Sequence, residues 1–267
     1  MAKPAITDAV TSAAAFLRAE WPLVLPVALA LMALPQAALQ LAIPAEVMAA
    51  LTLQKQLSPW LLWSIPVMLC NLVGAIAISA LAIVPRLSVG EALVRGLQRL
   101  GSLVAATILV SIAFGVLSTF VLLVVGVPLT AMGIGESGLR LIAFAVTIVM
   151  LAVAGIRLFL FLAPGVAADH VSPMAAIRGG WQATRGMFWP LLALCVMIAI
   201  VWLVVILAVQ TAVGSLLLLL GTVGGWRDVA LTLVDLIGAM IGAVLNAAAT
   251  VIVAKVYRTL APARGFA

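Results

Sequence analysis

The chain has 267 residues, of which 66% are apolar and only 8% are charged, with a formal net charge of +6. An average soluble domain is about 25% charged, so a soluble fold of this size could not cover its surface with so few charges. Lipid can face such a surface, and the composition therefore predicts a membrane protein. The 14 Lys and Arg residues mostly flank apolar stretches instead of forming a dense basic patch, so we expect no nucleic-acid partner.

Six stretches are long and apolar enough to cross a bilayer as helices, because a spanning helix needs about twenty mainly apolar residues. In chain order they cover residues 22–43, 60–84, 103–127, 139–163, 189–212 and 231–254. The sequence thus predicts an all-α integral membrane protein with six transmembrane helices, built as a single membrane domain over residues 1–267.

Three shorter segments, each directly before an odd-numbered span, have the apolar and polar periodicity of amphipathic helices. They cover residues 6–18, 88–102 and 172–189. Ser88 and Glu91 have the spacing of a capping box, and Ser172 followed by Pro173 is typical of a helix start. We expect all three to be short basic helices that lie in the membrane interface.

An internal repeat is visible when the chain is shifted by 84 residues, which aligns the second and third amphipathic segments. The aligned pairs include Ser88 with Ser172, Ala92 with Ala176, Gly96 with Gly180, and Gln98 with Gln182. Twice that shift places Trp21-Pro22-Leu23 on Trp189-Pro190-Leu191. The sequence therefore predicts three parallel repeats of an interfacial helix plus two spans, at residues 4–87, 88–171 and 172–267.

The orientation follows from the basic residues on each side of the membrane. Ten lie on the side of the termini and the amphipathic segments: Lys3, Arg18, Arg86, Arg95, Arg99, Arg178, Arg185, Lys255, Arg258 and Arg264. Three lie on the opposite side: Lys55, Arg140 and Arg227. Because basic residues favour the cytoplasmic side, we expect both termini in the cytoplasm.

Arginines provide the candidate contacts for lipid or anions. Arg157 lies inside the fourth span, where an arginine costs about 2.5–3.5 kcal/mol on insertion scales. It could extend to headgroups or bond carbonyls near Pro164, or it could anchor a lipid phosphate or a substrate inside the bundle. The further candidates on the amphipathic segments are Arg95, Arg99, Arg178 and Arg185.

Three polar residues within the spans are candidate intramembrane sites. Asp235, near the outer end of the sixth span, could be an interfacial carboxylate, could face an outer vestibule, or could pair with Arg227 or Arg140. Asn71 and Asn246 lie within spans 2 and 6, and the usual role of such polar residues is hydrogen bonding between helices.

Residues suited to catalysis or metal binding are scarce. Cys70 and Cys195 lie in apolar runs, and the single histidine, His170, follows Asp169 in a loop without a second His or Cys nearby. We therefore expect no catalytic, cofactor or metal site.

The segment 157–189 resembles a motif of a bacterial six-span family that includes YciC-like proteins and the membrane domain of some glycerophosphodiester phosphodiesterases. The matching residues are Arg157, Pro164, Asp169, Ser172-Pro173, Ala176-Ile177-Arg178, Trp181 and Thr184-Arg185-Gly186. Gly180 departs from the serine that the family has before the tryptophan. The resemblance implies a multi-pass protein of the bacterial inner (cytoplasmic) membrane, and it indicates no particular reaction.

Three functions remain open at this point. The preferred one is a lipid-interacting membrane organiser or scaffold without catalysis, whose partners are membrane phospholipids and a protein at the cytoplasmic amphipathic helices. The alternative is a transporter or channel-like bundle for a lipid or small anionic solute. An enzyme acting on lipids lacks a nucleophile and base. Polar residues converging on one cavity would favour transport, and polar residues scattered over separate faces would argue against it.

Overall fold

The computed structural model describes residues 6–42, 61–131, 136–168 and 172–260, and the regular elements in these ranges are all helical. The α-helices are α1 (Ile6–Ala28), α2 (Leu34–Ala42), α3 (Leu61–Ile83), α4 (Val89–Ala131), α5 (Glu136–Ala154), α6 (Leu162–Ala168), α7 (Pro173–Thr184), α8 (Phe188–Val209), α9 (Ser215–Gly224) and α10 (Arg227–Leu260). Single π-helical turns lie after α1, α5 and α8, at Leu29–Ala33, Gly155–Phe159 and Gln210–Gly214.

Within the described residues, six helical stretches are long and apolar enough to cross a membrane, which confirms the predicted number of spans. Spans 1 to 6 are Ile6–Ala42, Leu62–Ile83, Val89–Val121, Ile142–Ala168, Phe188–Gly224 and Arg227–Leu260. We call the end of the bundle at which α1 begins and α10 ends the terminal end, and the opposite end the loop end. The predictions for Lys3, Lys55, Asp169, His170 and Arg264 lie outside the described residues, as do those for the side chain of Arg140.

Both predicted helix starts are confirmed. The backbone N–H of Ser88 donates to Glu91 Oε2 at 2.9 Å, and the N–H of Glu91 donates to Ser88 Oγ at 3.3 Å. At α7, Pro173 takes the first turn and the N–H of Ala175 donates to Ser172 Oγ at 3.4 Å. These bonds satisfy backbone N–H groups that have no partner within the helix.

The amphipathic segments differ from their prediction in one respect. Segments 6–18 and 88–102 continue without a break into spans 1 and 3, and only the third forms a separate helix, α7. The chain leaves α7 through Gly186, whose φ of +80° belongs to the left-handed region. The 84-residue shift aligns Gly186 with Ser102, which stays helical inside α4. A side chain disfavours left-handed backbone, so the helix breaks at Gly186 and continues through Ser102.

One pair of helix contacts recurs with the period of the repeat. A methyl group at Gly96 would lie 3.0 Å from the carbonyl oxygen of Val73, and one at Gly180 would lie 3.7 Å from that of Arg157. The two pairs are related by the 84-residue shift, so equivalent glycines let equivalent helices approach. This recurrence supports our proposal that the chain contains parallel repeats.

Burial is uneven across the bundle. The main apolar core joins α1, α3 and α10 near the terminal end, with fully buried Val24, Ile78, Val251 and Val256. Spans 3 and 5 instead expose large apolar side chains, among them Ile112, Phe120, Ile200, Val204 and Leu207. A bilayer would cover these two spans, because lipid tails are as apolar as the side chains that they face.

Candidate functional site

A polar cavity of about 580 Å³ lies between spans 1, 2, 5 and 6. Six polar side chains from these four spans line it: Gln36, Gln40, Asn71, Gln210, Asp235 and Asn246. The remaining wall is apolar or small, with Met32, Trp202 and Ile206 on one part and small residues of α10 on another. The polar residues therefore converge on one site instead of being scattered over separate faces.

The face of α10 that lines the polar cavity follows from its sequence. Asp235, Gly238, Gly242 and Asn246 recur every three or four residues, which places them on one helical face. The two glycines leave room between the polar side chains. Asp235 lies about 12 Å from the start of α10, and Asn246 about 16 Å further along. The polar cavity thus begins near the loop end and reaches towards the middle of the bundle.

Two of the three π-helical turns contribute to the polar cavity. Gln210 begins the turn Gln210–Gly214, and Met32 lies in the turn Leu29–Ala33. A π-turn adds one residue to a helical turn and rotates the following side chains relative to an unbroken α-helix. Such turns are frequent at functional sites.

A smaller cavity of about 150 Å³ adjoins the polar cavity and shares Gln40 and Asp235 with it. Its other wall includes Thr232, which lies one helical turn nearer the loop end than Asp235. The oxygen Oε1 of Gln40 is buried, and no donor from the residues that the structure describes bonds to it. An unsatisfied buried amide oxygen costs about 1–3 kcal/mol, so this position favours a ligand or water that donates a hydrogen bond.

Among the described residues, Asp235 is the only charged side chain on the wall of the polar cavity. The others are amides, which both donate and accept hydrogen bonds. Asn71 donates through Nδ2 to the carbonyl of Val67 at 2.9 Å, which leaves its side-chain oxygen to accept. The wall therefore suits a neutral polar or cationic molecule, and the expected preference for a small anionic solute finds no support in it.

Arg157 does not line the polar cavity, and its predicted contact with a lipid or an anion stays a prediction. It lies in the π-turn Gly155–Phe159, half-buried, with its guanidinium carbon 4.7 Å from the ring centroid of Trp181 and 5.8 Å from that of Phe188. A guanidinium over an aromatic face gains a cation–π interaction. Arg157 therefore links span 4 to α7 and to the start of span 5.

Replacement of Arg157 by leucine should couple energetically to replacement of Trp181 by leucine. We expect a coupling free energy of about 1 kcal/mol in a double-mutant cycle. Each single change already removes the cation–π contact, so the double change should destabilise the protein by less than the sum of the two single effects. The measurement is equilibrium unfolding of the detergent-purified protein. As a control, Arg157→Leu combined with Met174→Ala, at an exposed position of α7, should be additive. Additive effects in the Arg157 and Trp181 cycle would show that the contact contributes nothing.

Arg99 is the clearest correction among the predicted lipid contacts. Its side chain is only 8% exposed, and Nη1 donates to the carbonyl oxygens of Val166 and Ala167, both at 2.7 Å. These are among the last carbonyls of α6, which lack partners within the helix. Arg99 therefore closes the end of α6 instead of facing headgroups. Arg178 and Arg185 are exposed on and after α7 and Arg95 is half-buried, so their lipid contacts remain predictions.

Three glutamines of the polar cavity, Gln36, Gln40 and Gln210, were missed by the sequence analysis. Gln36 and Gln40 lie four residues apart in span 1, on the same helical face, and this spacing was a usable signal. Asn71, Asp235 and Asn246 were identified individually, and the structure brings all three to the same cavity.

Comparison with known proteins adds no assignment to this geometry. The chain matches no protein-family model, no curated protein and no solved structure. The resemblance to the six-span family therefore stays a prediction, and the functional argument rests on the cavities and charges of the chain itself.

Proposed function

We propose that the protein is a transporter-like or channel-like bundle that carries a small neutral polar or cationic solute. The observation that carries this proposal is the convergence of six polar side chains from four spans on one cavity. Polar groups within a membrane are costly, and those that only join helices pair with neighbouring groups. A shared cavity offers them a bound solute instead.

The proposed ligand chemistry follows from the lining. Five amides can bind hydroxyl, amide or amine groups, and the carboxylate of Asp235 can attract a positive charge. A volume of about 580 Å³ falls within the range of small-molecule sites. Small polyols, amides and amines are therefore the solute classes to test first. The smaller cavity beside Gln40 and Asp235 would serve as the entrance from the loop end.

A lipid-interacting organiser without catalysis is the second candidate. It is favoured by α7, which combines exposed Arg178 with the exposed apolar side chains Met174 and Trp181. Such a helix can attract anionic headgroups and bury its apolar side chains in the interface. The two candidates can coexist, because α7 does not line the polar cavity.

We also propose that the protein lies in the bacterial inner membrane with its terminal end in the cytoplasm. Ten basic residues on the terminal side against three on the loop side support a cytoplasmic terminal end. The resemblance stated above supports the bacterial inner membrane.

The test of transport is solute uptake into liposomes that contain the purified protein. Radiolabelled polyols, amides, amines and small carboxylates are compared with empty liposomes and with the variant Asn246→Leu, which removes one amide from the wall. We expect uptake of a neutral or cationic class above background and at least a tenfold loss in Asn246→Leu. Uptake equal to that of empty liposomes for all classes would overturn the proposal.

Cysteine labelling provides a matched control for the site. In a background with Cys70 and Cys195 replaced by alanine, one cysteine is placed at Gln210 or Asn246 and another at Val204, which is exposed on the apolar surface of span 5. A membrane-impermeant thiol reagent should modify the cavity positions and spare Val204. Cavity cysteines as unreactive as the Val204 control would mean that water does not reach the polar cavity.

A further inference from the structure

A second cavity, of about 300 Å³, lies at the terminal end of the bundle and is lined by cationic side chains. Arg86 comes from the turn after α3, and Lys255 and Arg258 come from the last turns of α10. One carboxylate, that of Glu20 in α1, lies in the same wall. We call this site the basic cavity. It is separate from the polar cavity, because Lys255 lies about 30 Å along α10 from Asp235.

Three cations and one carboxylate from the described part of the chain line the basic cavity, so its wall carries a net positive charge. Among the described residues, Glu20 forms no salt bridge with Arg86, Lys255 or Arg258. Lys255 instead places Nζ 4.5 Å from the ring centroid of Phe16, which lines the same cavity. Three cations from two parts of the chain share one small space, and like charges held this close repel each other. A bound anion would relieve that repulsion.

The backbone that places Arg86 is itself unusual. Arg86 has a φ of +60° and is the only described residue other than glycine with a positive φ. A left-handed backbone costs free energy for an arginine, and such conformations persist where the surroundings fix them, often at ligand sites. Here Arg86 follows Pro85 in the short turn between α3 and α4, and both residues line the basic cavity.

The remaining wall indicates which kind of anion fits. Leu23, Val24, Leu81 and Ile83 form an apolar surface directly beside the cations. A free inorganic anion would gain nothing from that surface, whereas a lipid can place its phosphate on the cations and its glycerol and acyl carbons on the apolar side chains. The terminal end is also the end at which basic residues accumulate, where anionic headgroups are expected.

We propose that the basic cavity binds a phosphate group, supplied by the headgroup of an anionic phospholipid in the adjoining leaflet. Arg86 and Arg258 donate charge-assisted hydrogen bonds to the phosphate oxygens, and Lys255 contributes a third positive charge. The site holds lipid between spans 1, 2 and 6 and is independent of solute transport through the polar cavity.

The test is lipid binding by native mass spectrometry of the detergent-purified protein. Phosphatidylglycerol and phosphatidylcholine are titrated onto the wild type and onto Arg86→Gln/Lys255→Gln/Arg258→Gln. The matched control is Arg227→Gln, which removes an exposed cation at the start of α10 that lies outside the basic cavity. We expect the triple variant to bind phosphatidylglycerol at least tenfold more weakly, while the control and phosphatidylcholine binding change less than twofold.

Two further arms make the outcome decisive. Inorganic phosphate is added in competition: displacement of lipid at low millimolar concentration would assign the site to a soluble phosphate, and no displacement supports the lipid source. If the triple variant does not fold, the single variants at the exposed residues Arg86 and Arg258 replace it, each with an expected loss of about threefold. Equal phosphatidylglycerol binding by wild type and folded variants would overturn the proposal.

Discussion

Replacing Arg99 by alanine is expected to lower the free energy of unfolding by about 3 kcal/mol, a large effect for a residue that lines none of the three cavities described above. The substitution leaves the carbonyls of Val166 and Ala167 without the guanidinium that bonds both of them at 2.7 Å. These bonds are charge-assisted and almost fully shielded from water, and buried carbonyls without donors are costly. The loss should also loosen α6 from α4, because Arg99 belongs to α4 and its two carbonyl partners belong to α6.

The measurement is the thermal unfolding midpoint and the denaturant midpoint of the purified protein in detergent. Arg178→Ala is the control, since Arg178 is an exposed arginine on α7 and its loss should change the free energy of unfolding by less than about 0.5 kcal/mol. Arg99→Lys should be intermediate, because an ammonium keeps the charge but lacks the fork of the guanidinium. Equal midpoints for Arg99→Ala and Arg178→Ala would refute the helix-closing role.

Replacing Asp235 by asparagine is expected to reduce the preference for cationic over neutral solutes at least tenfold. Asp235 is the one charged residue that lines the polar cavity in the described part of the chain, and asparagine preserves its size while removing the charge. A unit charge about 4 Å from another contributes about 4 kcal/mol at an effective dielectric constant near 20, so even a fraction of that energy gives a tenfold change. Neutral solutes should be carried at nearly the wild-type rate, because the amide wall is intact.

The measurement compares uptake of an amine and of a neutral polyol or amide of similar size by the same liposomes. Asp228→Asn is a matched control, since Asp228 lies in the first turn of α10 but outside both cavities of the loop end. It should leave the cation preference unchanged. An unchanged preference in Asp235→Asn, with neutral uptake intact, would remove the carboxylate from the selectivity mechanism without affecting the transport proposal.

In our proposals the polar cavity and the basic cavity have different functions. The polar cavity begins near the loop end and is lined by four spans, whereas the basic cavity lies at the terminal end beside the main apolar core. Lipid bound at the basic cavity would therefore lie beside the most closely packed part of the bundle. The solute site lies where small residues and π-turns replace close packing, and such regions can rearrange with less loss of buried contact.

The sequence by itself determined the local features of this protein. The number of spans follows from the length of each apolar stretch, since a helix rises by a fixed distance per residue and lipid offers no partners for irregular backbone. The starts of α4 and α7 follow from Ser88 with Glu91 and from Ser172 with Pro173, because capping depends on neighbours within four residues. Asn71, Asp235 and Asn246 could also be identified from the sequence, because each is a polar residue within an otherwise apolar stretch.

Only the tertiary structure decided which residues meet. Arg99 looked like a headgroup contact because it lies in a basic amphipathic segment, yet Nη1 bonds carbonyls at the end of another helix. The sequence left two roles open for Arg157, and only the fold placed its guanidinium over the ring of Trp181. Periodicity fixes the side of a helix on which a residue lies but not the helix that this side faces, since packing depends on contacts between distant segments. The meeting of Gln40, Asn71 and Asp235 in one cavity is therefore a property of the folded bundle alone.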